Sequence, residues 1–116
     1  MLTVEQAKAR LQGVCVPLAT IFKDDGSVDI ESTKANAQWM IDQGARQGNT
    51  IFIAAGSGGD FSALSTEERR QVITAIAEVS AGRIPIIASM QSTDIRVTIE
   101  LCKLCEDMGV DVVQMS

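Results

Sequence analysis

Apolar positions along this chain alternate between short continuous runs and a recurrence every three to four residues. Ile51-Phe52-Ile53-Ala54-Ala55 is apolar without a break, as expected of a parallel strand covered on both faces. Gly13 to Thr20 and Ile84 to Ser89 read as further buried strands. Pro17 implies an edge position or a locally broken ladder for the first, whereas Pro85 sits near the start of its strand, where proline is permitted. Between these runs the period becomes helical. Ala37, Met40 and Ile41 mark one helix over 30–43, with Trp39 expected to pack alongside them. Val72, Ile76 and Val79 mark a second, and Val97, Leu101, Leu104 and Met108 a third. Val110 to Met115 then supplies a fourth strand.

Local chemistry punctuates the same elements. Thr3-Val4-Glu5-Gln6 and Ser65-Thr66-Glu67-Glu68 each have the spacing of a capping box, in which the first hydroxyl and the fourth side chain satisfy each other's backbone N–H. Asp29 can cap the helix of 30–43, and Ser92 or Thr93 the last helix. Gly44 or Gly48, Gly82 and Gly109 follow the helices as stop signals. Lys23-Asp24-Asp25-Gly26 is a turn.

The resulting order, βαβαβαβ behind a short leading helix, belongs to parallel α/β folds joined by right-handed crossovers. A TIM barrel and an open doubly wound sheet both satisfy it, and four strands alone do not decide between them. A complete barrel needs roughly 250 residues, so 116 supply about half. Residues 1–116 read as one partial domain, with no linker or low-complexity tract.

Composition narrows the function. At 46% hydrophobic the chain can build a packed core, and its net charge of −5 opposes binding to nucleic-acid phosphates. No segment approaches the roughly 20 apolar residues that span a bilayer, and the first residues show no basic leader. A cytoplasmic protein acting on a small molecule or protein partner is the expectation. Cys15, Cys102 and Cys105 are an odd number, expected as reduced thiols. Cys102 and Cys105 have C-x-x-C spacing, but without histidine or a second pair they lack the ligands for a zinc site. Their place late in a helix also disfavours a redox role. No metal and no cofactor are expected.

The segment with the clearest ligand chemistry is Gly56-Ser57-Gly58-Gly59-Asp60-Phe61, which follows a buried strand at the end of the sheet where α/β proteins place ligands. Its glycines allow successive N–H groups to converge on an anion. The bland alternative is a glycine-rich connection without a ligand. Phe61 occupies the third glycine of a dinucleotide fingerprint, and no G-K-[ST] is present for a P-loop. Glu67-Glu68 and Arg69-Arg70 read as a helix start and a solvated face.

Several stretches together resemble the dihydrodipicolinate synthase and N-acetylneuraminate lyase family: Gly13-Val14 with Pro17-Leu18-Ala19-Thr20, Asp25-Gly26-Ser27-Val28-Asp29, the glycine loop with Leu64 and Glu67-Glu68-Arg69, and Arg83-Ile84-Pro85-Ile86-Ile87-Ala88. The resemblance spans nearly the whole chain. It implies the N-terminal half of a (βα)8 barrel, a Schiff-base class I aldolase or lyase, and a pyruvate-type 2-oxo acid as substrate. Where the family usually has Gly-Thr-Thr-Gly-Glu, this chain has Ser57 and Gly58, which would hold the carboxylate through one hydroxyl and backbone N–H groups. Gly59, Thr20 and Ser89 are further substrate-binding candidates. The Gly-Ser-Gly-Gly form is nearest the 2-keto-3-deoxy sugar-acid aldolase branch.

The family's catalytic lysine and tyrosine are expected beyond Ser116, which would make this chain truncated before the catalytic half and inactive alone. It contains no tyrosine, and Lys8, Lys34 and Lys103 lie on helical segments while Lys23 lies in a polar turn. A homo-oligomer or a missing C-terminal half is expected to cover the open edges. One alternative is a non-enzymatic flavodoxin-like domain binding a phosphate at Gly56–Asp60. Another is a structural fragment that serves only by pairing with another chain.

Overall fold

The computed structural model describes residues 2–115; Met1 and Ser116, the ends of the expected domain, lie outside them. The described elements run α1 (Val4–Arg10), β1 (Val14–Pro17), α2 (Ile30–Asp42), β2 (Thr50–Ala54), α3 (Thr66–Ser80), β3 (Ile86–Ser89), α4 (Ile95–Asp107) and β4 (Val112–Gln114). Two 3-10 turns, Ser57–Gly59 and Phe61–Ala63, separate β2 from α3.

All strand pairings are parallel, in the order β1-β2-β3-β4. Each strand therefore lies beside the next in sequence, and right-handed crossovers of one sense place α2, α3 and α4 in a single layer. A doubly wound sheet reverses its strand order at a switch point and carries helices on both faces. No such reversal occurs among the described residues, so the barrel-type arrangement is the one they adopt.

Register aligns Val16 with Phe52 and Ile86, and Ala54 with Ala88 and Val113. These side chains, with Val72, Ile73 and Ile76 of α3 and Leu101 of α4, form the core between sheet and helices. The alternate row, Pro17, Ile53, Ile87 and Val112, lies on the opposite face. Pro17 is exposed and the other three are only partly buried. That face corresponds to the interior of a barrel.

Both capping boxes form as read. Thr3 and Gln6 exchange side-chain bonds at the start of α1, as do Ser65 and Glu68 at the start of α3. Asp29 caps α2 through the Ser32 N–H. The Lys23–Gly26 turn closes through Gly26 N–H donating to Lys23 O, and an antiparallel bridge joins Phe22 to Val28.

Three expectations are corrected. β1 is not a buried strand: Val14, Cys15 and Pro17 are exposed, because β1 has β2 on one side and no neighbour on the other among the described residues. Trp39 does not pack with the core but is 59% exposed. Neither Ser92 nor Thr93 caps α4; Asp94 does, accepting from Arg96 N–H, while the Ser92 hydroxyl accepts from Asp94 N–H.

At the N-terminal ends of the strands, Arg10 of α1 gathers three connections. Its guanidinium donates to Asp111 Oδ1 (2.6 Å), Gln47 Oε1 (2.8 Å) and Gly82 O (3.3 Å). Asp111 Oδ2 accepts from Ile86 N–H. The opposite ends, where the glycine loop sits, are left for the site.

Candidate functional site

The glycine loop leaves β2 through an unusual backbone. Ala55, wholly buried, has φ +49°, and Asp60 has φ +57°, so the Ser57–Gly59 turn is bracketed by two left-handed residues. Asparagine and aspartate tolerate that region; for alanine it costs on the order of 1–2 kcal/mol. Strain of this kind persists only where the surroundings over-determine it, and it clusters at ligand-binding turns. Nothing in the alanine itself signals it in the sequence.

Close packing fixes the loop further. A methyl group on Gly58 would lie 2.7 Å from Pro17 Cβ, and one on Gly59 would lie 2.8 Å from Leu18 O. The glycines therefore let the turn lie directly on the end of β1. The Thr20 hydroxyl, buried, donates to Gly59 O at 2.7 Å and fastens that contact.

Three of the loop's N–H groups are used within it: Gly59 and Phe61 donate to Gly56 O, and Asp60 donates to Ser57 O. The N–H groups of Ser57 and Gly58 open the first 3-10 turn and have no acceptor among the described residues. Both residues are exposed, whereas Gly59 is buried. Two adjacent N–H groups without an acceptor, and the Ser57 hydroxyl, thus belong to exposed residues at the C-terminal rim of the sheet. This set can bind a carboxylate, which accepts through two oxygens.

The remaining candidates have different surroundings. Ser89 ends β3, and its hydroxyl is buried with no hydrogen-bond partner. Its carbonyl accepts from Arg69 Nη2 at 2.7 Å. Arg69 departs from the solvated face read for Arg69-Arg70: only 4% exposed, it also donates to Gln91 O at 2.7 Å and lies 5.5 Å from the centre of the Phe61 ring. Arg70 is exposed, as expected. Burial pulls the Arg69 guanidinium below its ordinary pKa. Helical phase distinguishes the two arginines, since Arg69 precedes Val72, Ile73 and Ile76 by three, four and seven residues, on the buried stripe.

The three cysteines are free; Cys105 is buried, Cys102 partly buried and Cys15 exposed. Burial, with a smaller contribution from Cys102, pushes the Cys105 thiol up to about 11. Among the described residues no group of His, Cys, Asp and Glu is placed to hold a metal ion. No helix among them is long and apolar enough to cross a membrane.

The sequence profile of the Dihydrodipicolinate synthetase family matches residues 10–115. The chain belongs to this family. Within it, the 4-hydroxy-tetrahydrodipicolinate synthase of Brucella abortus biovar 1 (strain 9-941) is 33% identical over 103 residues, covering 89% of this chain and 34% of that protein. The chain thus spans about a third of the length of the curated relatives it matches.

Solved family structures superpose well on it. One is a prophage protein of the dihydrodipicolinic acid synthase family from E. coli K12, in complex with pyruvate. It is 30% identical with a TM-score of 0.80, over 90% of this chain and 34% of that one. The N-acetylneuraminate lyase of Proteus mirabilis is 25% identical with a TM-score of 0.82, over 91% and 35%. The fold is the N-terminal part of the family's TIM barrel.

Proposed function

We propose that this chain forms the carboxylate-holding part of a class I aldolase or lyase acting on pyruvate or another 2-oxo acid. The observation that carries the reading is the pair of free N–H groups of Ser57 and Gly58, beside the Ser57 hydroxyl, at the C-terminal rim of β2. Active sites of TIM barrels lie at this rim. The likeness to a pyruvate-bound E. coli relative supports the same substrate class here.

Holding the carboxylate fixes the adjacent ketone, whose carbon would be attacked by a lysine amine to form an imine with loss of water. The four lysines of this chain are poorly placed for that step. Lys8, Lys23 and Lys103 are exposed, and Lys34 pairs with Glu78 at 3.1 Å on the helical layer. None of them lies on a strand. In this reading the attacking lysine belongs to strands of the barrel other than β1 to β4. Those strands, or the corresponding ones of a second chain, would also cover the β1 edge near Val14 and Trp39 and the β4 edge near Val112. A cytoplasmic location fits small-molecule chemistry of this kind.

Calorimetric titration with pyruvate and with inorganic phosphate tests the reading. Saturable pyruvate binding that is weakened severalfold in Ser57→Ala, which removes the hydroxyl and adds no atom to the turn, is the expected result. Binding of phosphate with none of pyruvate would favour a phosphate-binding domain instead.

A further inference from the structure

We infer that Arg69 is a positioning residue, which sets the glycine loop against the C-terminal end of β3 and so aims the Ser57 and Gly58 N–H groups into the site. One buried side chain makes three contacts. Nη2 and Nη1 donate to the carbonyls of Ser89 and Gln91, each at 2.7 Å, while the Phe61 ring of the loop sits 5.5 Å from the guanidinium carbon. The planar fork of arginine suits this arrangement, since it satisfies two carbonyls in its plane and offers its face to an aromatic ring.

A buried cation is costly unless its charge is compensated, and no carboxylate lies within ion-pairing distance of Arg69 among the described residues. Its partners are two carbonyl dipoles and a ring, and its Nε is buried without an acceptor. A leucine or methionine would fill the same stripe of α3 without that cost. What the arginine adds is a cross-link between segments distant in sequence: the loop after β2 and the loop after β3.

The loop is thereby held from two sides. Thr20 fastens Gly59 to the segment that follows β1, and Arg69, through Phe61, fastens the second 3-10 turn to the end of β3. Ser57 and Gly58 lie within the turn that the Gly59 and Phe61 N–H groups close onto Gly56 O, so their direction follows from both anchors. The consequence for substrate rests on the carboxylate reading of the loop; the mechanical role does not.

Hydrogen exchange of the full chain, resolved to peptides, separates the two. Arg69→Met is expected to speed exchange of the Gly59–Phe61 amides roughly tenfold or more, since two charge-assisted bonds and a ring contact are lost together. The amides of Phe52 and Ile86 in the central strands should keep their protection. Phe61→Leu, which spares the carbonyl bonds, should loosen the loop and leave the 89–91 segment unchanged. Arg69→Lys, retaining charge but not the fork, should fall between wild type and Arg69→Met.

Equal acceleration in loop and central strands would mean that Arg69 serves general stability, and would overturn the proposal, as would an unchanged loop. If the loop loosens selectively while the wild type binds no pyruvate, the carboxylate reading fails and the positioning role stands. If the wild type binds pyruvate, Arg69→Met should weaken it more than Phe61→Leu does.

Discussion

The Thr20 hydroxyl donates to the Gly59 carbonyl at 2.7 Å, joining the segment that follows β1 to the middle of the glycine loop across 39 positions of sequence. Because the bond is buried, its loss leaves an unsatisfied carbonyl against apolar surroundings. Thr20→Val keeps the shape and removes the donor, so a loss of about 1–3 kcal/mol in unfolding free energy is expected. Thr20→Ser retains the donor and should recover most of it. Urea denaturation of the three proteins, read at the midpoint with unchanged slope, checks the ordering.

Asp111 carries a comparable load at the opposite rim. One oxygen accepts from Arg10 and the other from the Ile86 N–H, so a single side chain ties α1 and the start of β4 to β3. Asp111→Ala would leave both donors without their acceptor and should lower stability by about 2–3 kcal/mol, as expected for hydrogen bonds involving a charged group. Since this is the rim away from the glycine loop, pyruvate affinity of the folded fraction should not change. A change in affinity without a change in denaturation midpoint would contradict that division.

How far the sequence carries depends on whether a feature is local. The capping pairs Thr3 with Gln6 and Ser65 with Glu68 lie within one turn, and both form as their spacing implies. Exposure is different. Whether Val14 is covered depends on which strand lies beyond β1, and no pattern within Gly13–Thr20 encodes that.

Two misreadings had a signal that phase could have supplied. Trp39 stands two residues from buried Ala37, about 200° around a helix, and so away from the core. Arg69 shares the stripe of Val72 and Ile73, though its charge argued for solvent. The glycine loop was legible from its place after β2. Its two left-handed residues, Ala55 and Asp60, and the use of the Gly59 N–H inside a 3-10 turn were not, because these depend on Pro17, Leu18 and Thr20 pressing on it.

Thiol chemistry should follow burial. With its folded pKa raised from 9.0 to about 11, Cys105 favours the neutral thiol in the native state. Its contribution to stability is therefore fully present below about pH 9 and is lost as pH rises through 11. Alkylation with iodoacetamide at pH 8 should modify exposed Cys15 first and Cys105 last, with Cys105 reacting only through opening. Peptide mass spectrometry over time reads the order. Fast, selective modification of Cys105 would indicate an activated thiol and contradict the assignment.

Borohydride reduction in the presence of pyruvate addresses the lysines. A lysine forms an imine efficiently only where burial or a neighbouring cation activates its amine, whereas Lys8, Lys23 and Lys103 are exposed and Lys34 pairs with Glu78. The 116-residue chain should therefore gain no stoichiometric adduct. A single adduct on Lys8, Lys23, Lys34 or Lys103 would place the bond-forming group within this chain.

Amide chemical shifts during titration with pyruvate observe the free N–H groups of Ser57 and Gly58 directly. The expected result is saturable movement of the Ser57 and Gly58 resonances, larger than at Gly59, whose N–H is already bonded to Gly56. The Cys102–Cys105 segment of α4 should remain still. Saturable shifts confined to another surface, or none at Ser57 and Gly58 while pyruvate binds, would contradict the assignment of this loop as the carboxylate holder.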